Sequence, residues 1–352
     1  MEELLRFDYL LGECKGDACT ALERFGDSSD ENVATALHEM KRLMVVLGLS
    51  VNTSTSTSIR VKLFCNWTDP QSLAALWNKM SKGAGRWNSI EIVSENPDYF
   101  VVVNSTRSCD VDAPRSEEEL RRTVLFRMEP HMHRRPDLWG EYTDPDPKRD
   151  QFLFAGYHEE HFNNNEWHLS KTYSELMNMS IEKTIDGVSA ILSNKYVDPG
   201  HVLRVDFVKQ LEEAGLNVAV FGGNKFEWRD YRGSLPSHAK EGGLFPYKYT
   251  FNVENFCIEN YYTEKLIDGI LSECLTFYYG CPNIRELIDE RAYVWLDLNN
   301  FGASVEKVKE AIETDLWSKR LVYIRAAKQK ILNETQFFPR LEQILLKAKK
   351  TV

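Results

Sequence analysis

Tyr247–Asn283, YKYTFNVENFCIENYYTEKLIDGILSECLTFYYGCPN, is the stretch that fixes the architecture. Tyr247–Val253 is an aromatic and β-branched run, the composition of a buried strand. The polar pair Glu254-Asn255 and a loop over 256–261 follow it. Thr263 reads as a helix cap, with Glu264 in the first turn where the helix dipole favours negative charge, and the helix runs to about Ser272. Leu275–Tyr279 is a second strand, stopped by the turn residues Gly280-Cys281-Pro282-Asn283. Strand, polar loop, helix and strand make a βαβ unit, and such units gather ligands at the carboxyl ends of their strands. Glu254, Asn255, Glu264 and Lys265 all fall at that end.

Working outward, the same alternation continues on both sides. Strands are expected at 59–65, 89–93, 99–103, 123–128 and about 151–155, with a helix from Thr68-Asp69-Pro70 to about Met80. Residues 136–150, with three prolines, read as an irregular crossing loop. A second set begins near Gly187: a strand over 188–192, an amphipathic helix over 201–214 and a strand over 217–221. The central unit comes next, then a short strand at 293–296. Before all this, 31–49 carries apolar residues at helical spacing, and 52–58 is a Ser/Thr tract with nothing to build a core. After it, 304–350 reads as helices with basic ends. The expected division is 1–58 helical segment and linker, 59–180 first Rossmann-like domain, 181–300 second Rossmann-like domain and 301–352 C-terminal helices.

Composition narrows the function. Hydrophobic content of 43% and charged content of 27% are those of a globular chain. A net charge of −10 argues against general nucleic-acid binding and against an anionic membrane surface. Seven cysteines, irregularly spaced and without a CxxC pair, fit reduced thiols better than a disulfide framework or a zinc site. No apolar run approaches the ~20 residues of a membrane span, and the acidic N-terminus lacks a leader pattern, so a cytoplasmic location is expected. No GxGxxG stands at a strand–helix junction to call for a dinucleotide.

Lys248, Glu254-Asn255 and Thr263-Glu264-Lys265-Leu266 stand together at the spacing of a known donor-binding signature. With Tyr278-Tyr279-Gly280 and Pro282-Asn283, they resemble the α1,3/α1,4-fucosyltransferases, glycosyltransferase family 10. Arg204 and Leu211, in Arg204-Val-Asp-Phe-Val-Lys-Gln-Leu211, are similar to a second family segment. Phe256 replaces the family's serine, and Tyr262 stands where it has Ile or Val, giving a flatter wall beside the donor.

The resemblance implies a GT-B fold: two Rossmann-like domains facing across a cleft, acceptor half first and donor half second. It implies an inverting transfer of a sugar, L-fucose from GDP-fucose by family default, to a hydroxyl of a glycan or glycoprotein, with no obligatory metal. Arg204 and Lys265 would hold the diphosphate, and Glu264 the ribose hydroxyls. Glu254 and Asn255 would line the sugar and its anomeric carbon. Lys248 is open between a phosphate contact and a strand-edge lysine. Glu129, in Phe126-Arg-Met-Glu-Pro130, resembles the family's glutamate at a strand end of the acceptor half and would be the base. Another donor such as UDP-glucose, a non-catalytic nucleotide- or carbohydrate-binding protein, and a homodimer through the C-terminal helices stay open.

Other patterns weigh less. His158 and His161 are three apart, whereas two zinc-binding histidines share a helix face at a spacing of four. Asp110-Val-Asp112 and Asp144-Pro-Asp146 mimic a metal-binding DxD inside proline-bearing segments. Of the eight tryptophans, Trp139, Trp167 and Trp228 are candidates for stacking on sugar rings, although packing in the core or on the surface is the commoner use of such a side chain.

Overall fold

Ile59–Cys65 (β1) alternates apolar and polar residues, the pattern of a strand, and lies inside the first sheet. A computed structural model of the chain describes residues 58–105, 112–129, 149–164 and 166–351. The helix expected at 31–49, the tract at 52–57, most of the 136–150 loop, Asp110, Asp144, Asp146 and Trp139 lie outside those residues. β1 pairs in parallel with Ile90–Ile92 (β3) on one side and Tyr99–Val103 (β4) on the other. Beyond β4 come Thr123–Phe126 (β5) and Phe154–Gly156 (β6), both parallel, while Arg86–Trp87 (β2) lies antiparallel on the far edge. The order is β2-β3-β1-β4-β5-β6.

Because strand side chains alternate, one face of this sheet buries Val61, Leu63, Val101, Val103, Val124 and Phe126. The other buries Phe64, Val102 and Leu125. Both faces are apolar, as a parallel sheet requires. Helix α1 (Pro70–Trp77) starts as expected: Asp69 accepts a hydrogen bond from the Ser72 N–H at 2.9 Å, and Pro70 occupies the first turn. A single turn, α2 (Glu117–Leu120), is held by a capping box between Ser116 and Glu119. Helix α3 (Tyr173–Asn178) leads into the second half.

The second sheet contains Ile185–Leu192 (β7), Val218–Gly222 (β8), Asp230–Tyr231 (β9), Tyr247–Val253 (β10), Leu275–Tyr279 (β11) and Tyr293–Trp295 (β12). Its order is β9-β8-β7-β10-β11-β12, every pair parallel. The chain order therefore reverses between β7 and β10, where an open α/β sheet leaves a crevice at its carboxyl edge. Helix α4 (Pro199–Glu213) connects β7 to β8, and α5 (Glu264–Leu271) connects β10 to β11.

Helices α6 (Phe301–Glu313), α7 (Leu316–Lys330) and α8 (Phe337–Thr351) complete the chain. The first two cover the second sheet: Phe301 packs edge-on against Phe207 at 5.3 Å, and the Tyr249 hydroxyl donates to the Ala311 carbonyl at 3.0 Å. A widened turn over 331–335 then sends α8 back to the first sheet. There the Phe337 ring lies 4.6 Å from Trp77, and Gln336 Nε2 donates to the Met80 carbonyl at 3.2 Å. One apolar core runs through both halves as a result. His158, two residues past β6, and Asn260, in the loop between β10 and α5, meet through the Asn260 amide and the His158 carbonyl at 2.6 Å. The carboxyl edges of the two sheets thus face each other, the GT-B arrangement of two Rossmann-like layers with C-terminal helices. Among the described residues no helix is long and apolar enough to cross a membrane.

Several elements depart from expectation. β7 begins at Ile185, since the Thr184 and Ile185 N–H groups already bond to the Pro246 carbonyl. β6 begins at Phe154 because 149–151 winds into a 3-10 turn. β2 and β9 span two residues each, too few for an alternating pattern.

Candidate functional site

Gly200 is the contact on which the site is assembled. A Cβ there would lie 1.8 Å from the Glu254 carbonyl oxygen, so only glycine lets the start of α4 rest on the end of β10. Its N–H donates to the Asn255 carbonyl at 2.9 Å. One turn on, Arg204 is buried, its Nε donating to the Gly200 carbonyl at 2.9 Å and one terminal nitrogen to Asn255 Oδ1 at 2.5 Å. Burial lowers the guanidinium pKa, with nearby Glu254 opposing, and leaves the group charged. Beside it His201 accepts from the Asp198 N–H at 3.3 Å. Burial and then Arg204 push that imidazole down to about 4, so it is neutral at physiological pH.

Glu254 is a structural anchor as well as a site residue. One oxygen accepts from the Thr263 N–H at 2.9 Å and the Tyr278 hydroxyl at 3.3 Å, the other from the Thr263 hydroxyl at 2.6 Å. It ties the first turn of α5 to β10 and β11. Gly280 permits this, since a Cβ there would lie 2.4 Å from Glu254 Cγ. The Lys265 ammonium reaches Thr263 Oγ1 at 3.0 Å and lies 3.6 Å from Glu254 and 3.5 Å from Glu264.

Glu264 belongs to a larger charge cluster. Lys240 bridges it at 3.2 Å to Asp268 at 2.8 Å. His168 lies 3.8 Å from Glu264 and 3.3 Å from Glu166, which accepts from the Trp77 indole N–H at 2.8 Å. Burial acts to raise the Glu264 pKa, but Lys240, Lys265 and His168 outweigh it and hold the carboxyl well below its usual range. For Asp268 burial wins and the pKa rises. Burial would lower the Lys240 pKa, yet the two carboxylates raise it above its ordinary value.

These groups open onto a cavity of about 470 Å³ at the β7/β10 reversal. Arg204, Lys265, Lys240 and Lys195 line it, with Gly222 and Gly223 of the β8 end opposite. A chain of net charge −10 thus concentrates four cations in one crevice. The amino end of α5 adds backbone N–H groups beside it, the arrangement that suits a phosphate. Asn252 also lines it, and its side-chain amide nitrogen is buried against Gly269 without a hydrogen-bond partner.

Glu129 approaches from the first half, three residues past the end of β5. Glu129 is half-buried, and the loss of hydration raises its pKa to about 7; Lys265 opposes that rise, and Glu264 and Glu254 add to it. Two further expected residues are not brought together with these. Lys248 lies at the amino end of β10, paired with Asp186 at 2.5 Å and Asp315 at 3.4 Å. Tyr262 is buried in the seam between the halves, its hydroxyl donating to the Asn164 carbonyl at 3.3 Å, and burial pushes its pKa to about 12. Trp167 is wholly buried with its indole N–H on the Lys171 carbonyl, and Trp228 packs on Phe226, away from the cavity lining. His158 and His161 turn to different neighbours, Tyr261 and Phe154, and among the described residues no three ligand side chains converge as for a metal. No spacing rule links Lys240, or His168 (which adds no metal-binding spacing to His158 and His161), to Glu264, whereas Asp268, one helical turn past Glu264, is the member that spacing could have shown.

No protein-family profile and no curated protein matches the chain. Among solved structures, an alpha1,3-fucosyltransferase with GDP-fucose is 15% identical, covering 82% of this chain and 94% of that one, with a TM-score of 0.41. An alpha-glucosyltransferase in complex with UDP-glucose and DNA containing an abasic site is 11% identical over 82% and 99%, with a TM-score of 0.48. A DNA-modifying beta-glucosyltransferase is 12% identical over 83% and 99%, with a TM-score of 0.42. At such identity only fold is being compared, so the chemistry has to be read from the residues of the crevice.

Proposed function

We propose that the chain is an inverting glycosyltransferase that moves a sugar from a nucleoside diphosphate to an acceptor hydroxyl. The observation that carries this is the crevice itself, which Arg204, Lys265 and Glu264 line together, and Glu129 supports it by leaving β5 close enough for the charges of Lys265, Glu264 and Glu254 to act on its carboxyl group. In the reaction the acceptor oxygen attacks the anomeric carbon while its proton passes to Glu129. The bond from that carbon to the phosphate oxygen breaks, and the diphosphate leaves with the bonding pair. Arg204 and Lys265 take up the charge that develops on it, and the backbone N–H groups at the start of α5 assist. Glu264, charged throughout, accepts from the ribose hydroxyls. Glu254 and Asn255 hold α5 and Arg204 in register beside the sugar. A base with a pKa near working pH is both sufficiently ionised and sufficiently basic, which suits Glu129.

GDP-fucose is the first donor to test, on the strength of the Glu254-Asn255 and Thr263–Leu266 pattern, with UDP-glucose as the second. The test is thermal unfolding with GDP, UDP, CMP and their sugars. A ligand at 100 times its Kd stabilises by about 2.7 kcal/mol. GDP alone raising Tm supports the fucosyl donor, and UDP alone moves the assignment to a glucosyl donor. No shift with any nucleotide overturns the reading. Donor turnover is then scored against free glycans, a glycoprotein and duplex DNA as acceptors.

A further inference from the structure

Asn104 lies one residue past β4, at the same carboxyl edge from which Glu129 leaves β5. Its backbone is left-handed, with φ of 67°, a conformation asparagine tolerates better than other side-chain-bearing residues. The side chain is buried and used at both ends. Oδ1 accepts from the Met128 N–H at 2.9 Å and from the Glu129 N–H at 3.2 Å, while Nδ2 donates to Asn66 Oδ1 at 3.3 Å. A single amide therefore spans three strand ends, those of β1, β4 and β5. The Asn104 N–H itself donates to the Phe126 carbonyl, so backbone and side chain grip the same exit from β5. Left-handed residues that are not glycine persist where the surroundings enforce them, and they gather at functional sites.

We infer that Asn104 is the positioning residue for the base: its side-chain oxygen fixes the direction in which the chain leaves β5 and so aims the Glu129 carboxylate at the acceptor hydroxyl. This rests on the transferase reading and adds to it the device that holds the base in place. The two N–H groups would otherwise have no partner in the protein, and the turn would be free to rotate Glu129 away from the crevice. Misplacement of a reacting group by about 1 Å costs on the order of 100-fold in rate. Asn104 touches neither donor nor acceptor, so its loss acts on turnover and not on nucleotide affinity.

The test uses whichever of GDP-fucose or UDP-glucose binds, with release of nucleoside diphosphate to water as the readout, so no acceptor need be known. Asn104→Gly keeps the left-handed backbone and removes the amide. It is expected to lower kcat by about 10–100-fold with the Kd for the nucleoside diphosphate unchanged. Asn104→Asp keeps an oxygen for both N–H groups but sets a negative charge next to Glu129. It is expected to recover turnover and move the acidic limb of the pH profile to higher pH, because a like charge raises a carboxyl pKa. Wild-type kcat in the glycine variant overturns the inference. So does a parallel loss of nucleotide affinity and rate, or an aspartate variant whose acidic limb does not move. If the wild-type protein binds no nucleotide, the transferase reading fails first and independently.

Discussion

The guanidinium of Arg204 donates to Asn255 Oδ1 at 2.5 Å, joining the second turn of α4 to the residue two past the end of β10. Because β7 and β10 are the strands between which the sheet reverses, this bond closes the floor of the crevice. Arg204 uses two of the five guanidinium N–H groups, one on Gly200 and one on Asn255, in a side chain that lines the cavity. A lysine at 204 would keep the charge and lose the fork.

Arg204→Lys is accordingly expected to weaken nucleoside diphosphate binding by about 10–100-fold, the size of a charge-assisted hydrogen bond of about 1.5–3 kcal/mol. Isothermal titration with the nucleotide identified by thermal shift measures it. Unchanged affinity would remove Arg204 from the diphosphate site.

Gly200→Ala places a methyl carbon 1.8 Å from the Glu254 carbonyl, a backbone atom that cannot turn aside. The start of α4 must move off β10 and take Arg204 with it. Overpacking of this kind costs about 1–3 kcal/mol. Denaturant unfolding should show that loss together with weakened nucleotide binding. A variant of wild-type stability and affinity would show that the helix start tolerates displacement.

Most of the architecture was legible because parallel strands buried on both faces announce themselves. β4 and β11 are nearly all apolar, β10 is aromatic and β-branched and β1 alternates apolar and polar residues, and the ends of all four agree with the sequence reading to the residue. The site was legible only where one contiguous segment supplies it. Glu254, Asn255, Glu264 and Lys265 lie within twelve residues, and the βαβ geometry alone puts them together. Lys248 lies in the same segment, but a strand of seven residues carries it to the other edge of the sheet. Tyr262 shows a second limit: a residue two positions from the helix start can face the core as readily as the crevice. Lys240 and His168 could not be found, since their meeting with Glu264 depends on how the loops before β10 and α3 fold over the sheet.

Lys240→Met tests that cluster. It leaves half-buried Glu264 with fewer cations and buried Asp268 without its ammonium partner. Breaking a buried pair costs about 3–5 kcal/mol. Glu264 has a depressed folded pKa. Its contribution is fully present above the unfolded glutamate pKa and is lost as pH falls through the lower folded value. The stability gap between wild type and variant should therefore be wide at neutral pH and narrow in acid. Adding Asp268→Asn should restore part of it. A variant as stable as wild type at pH 7 would mean that water replaces the ammonium.

Glu129 makes the opposite prediction in sign. Its folded pKa is raised from 4.5 to about 7, so between these values the folded state holds a proton that the unfolded chain has released. This carboxyl therefore lowers stability progressively as pH rises from about 4.5 to about 7. Only the ionised form can accept the acceptor's proton, so turnover should rise along an acidic limb centred near 7. Glu129→Gln removes both effects: turnover falls by about 100–10,000-fold, the limb disappears, and unfolding stability at pH 8 equals or exceeds that of wild type. Rate against pH and unfolding against pH, measured on the same two proteins, check all three at once. A glutamine variant that keeps wild-type turnover, or keeps the limb, would assign proton removal to another group.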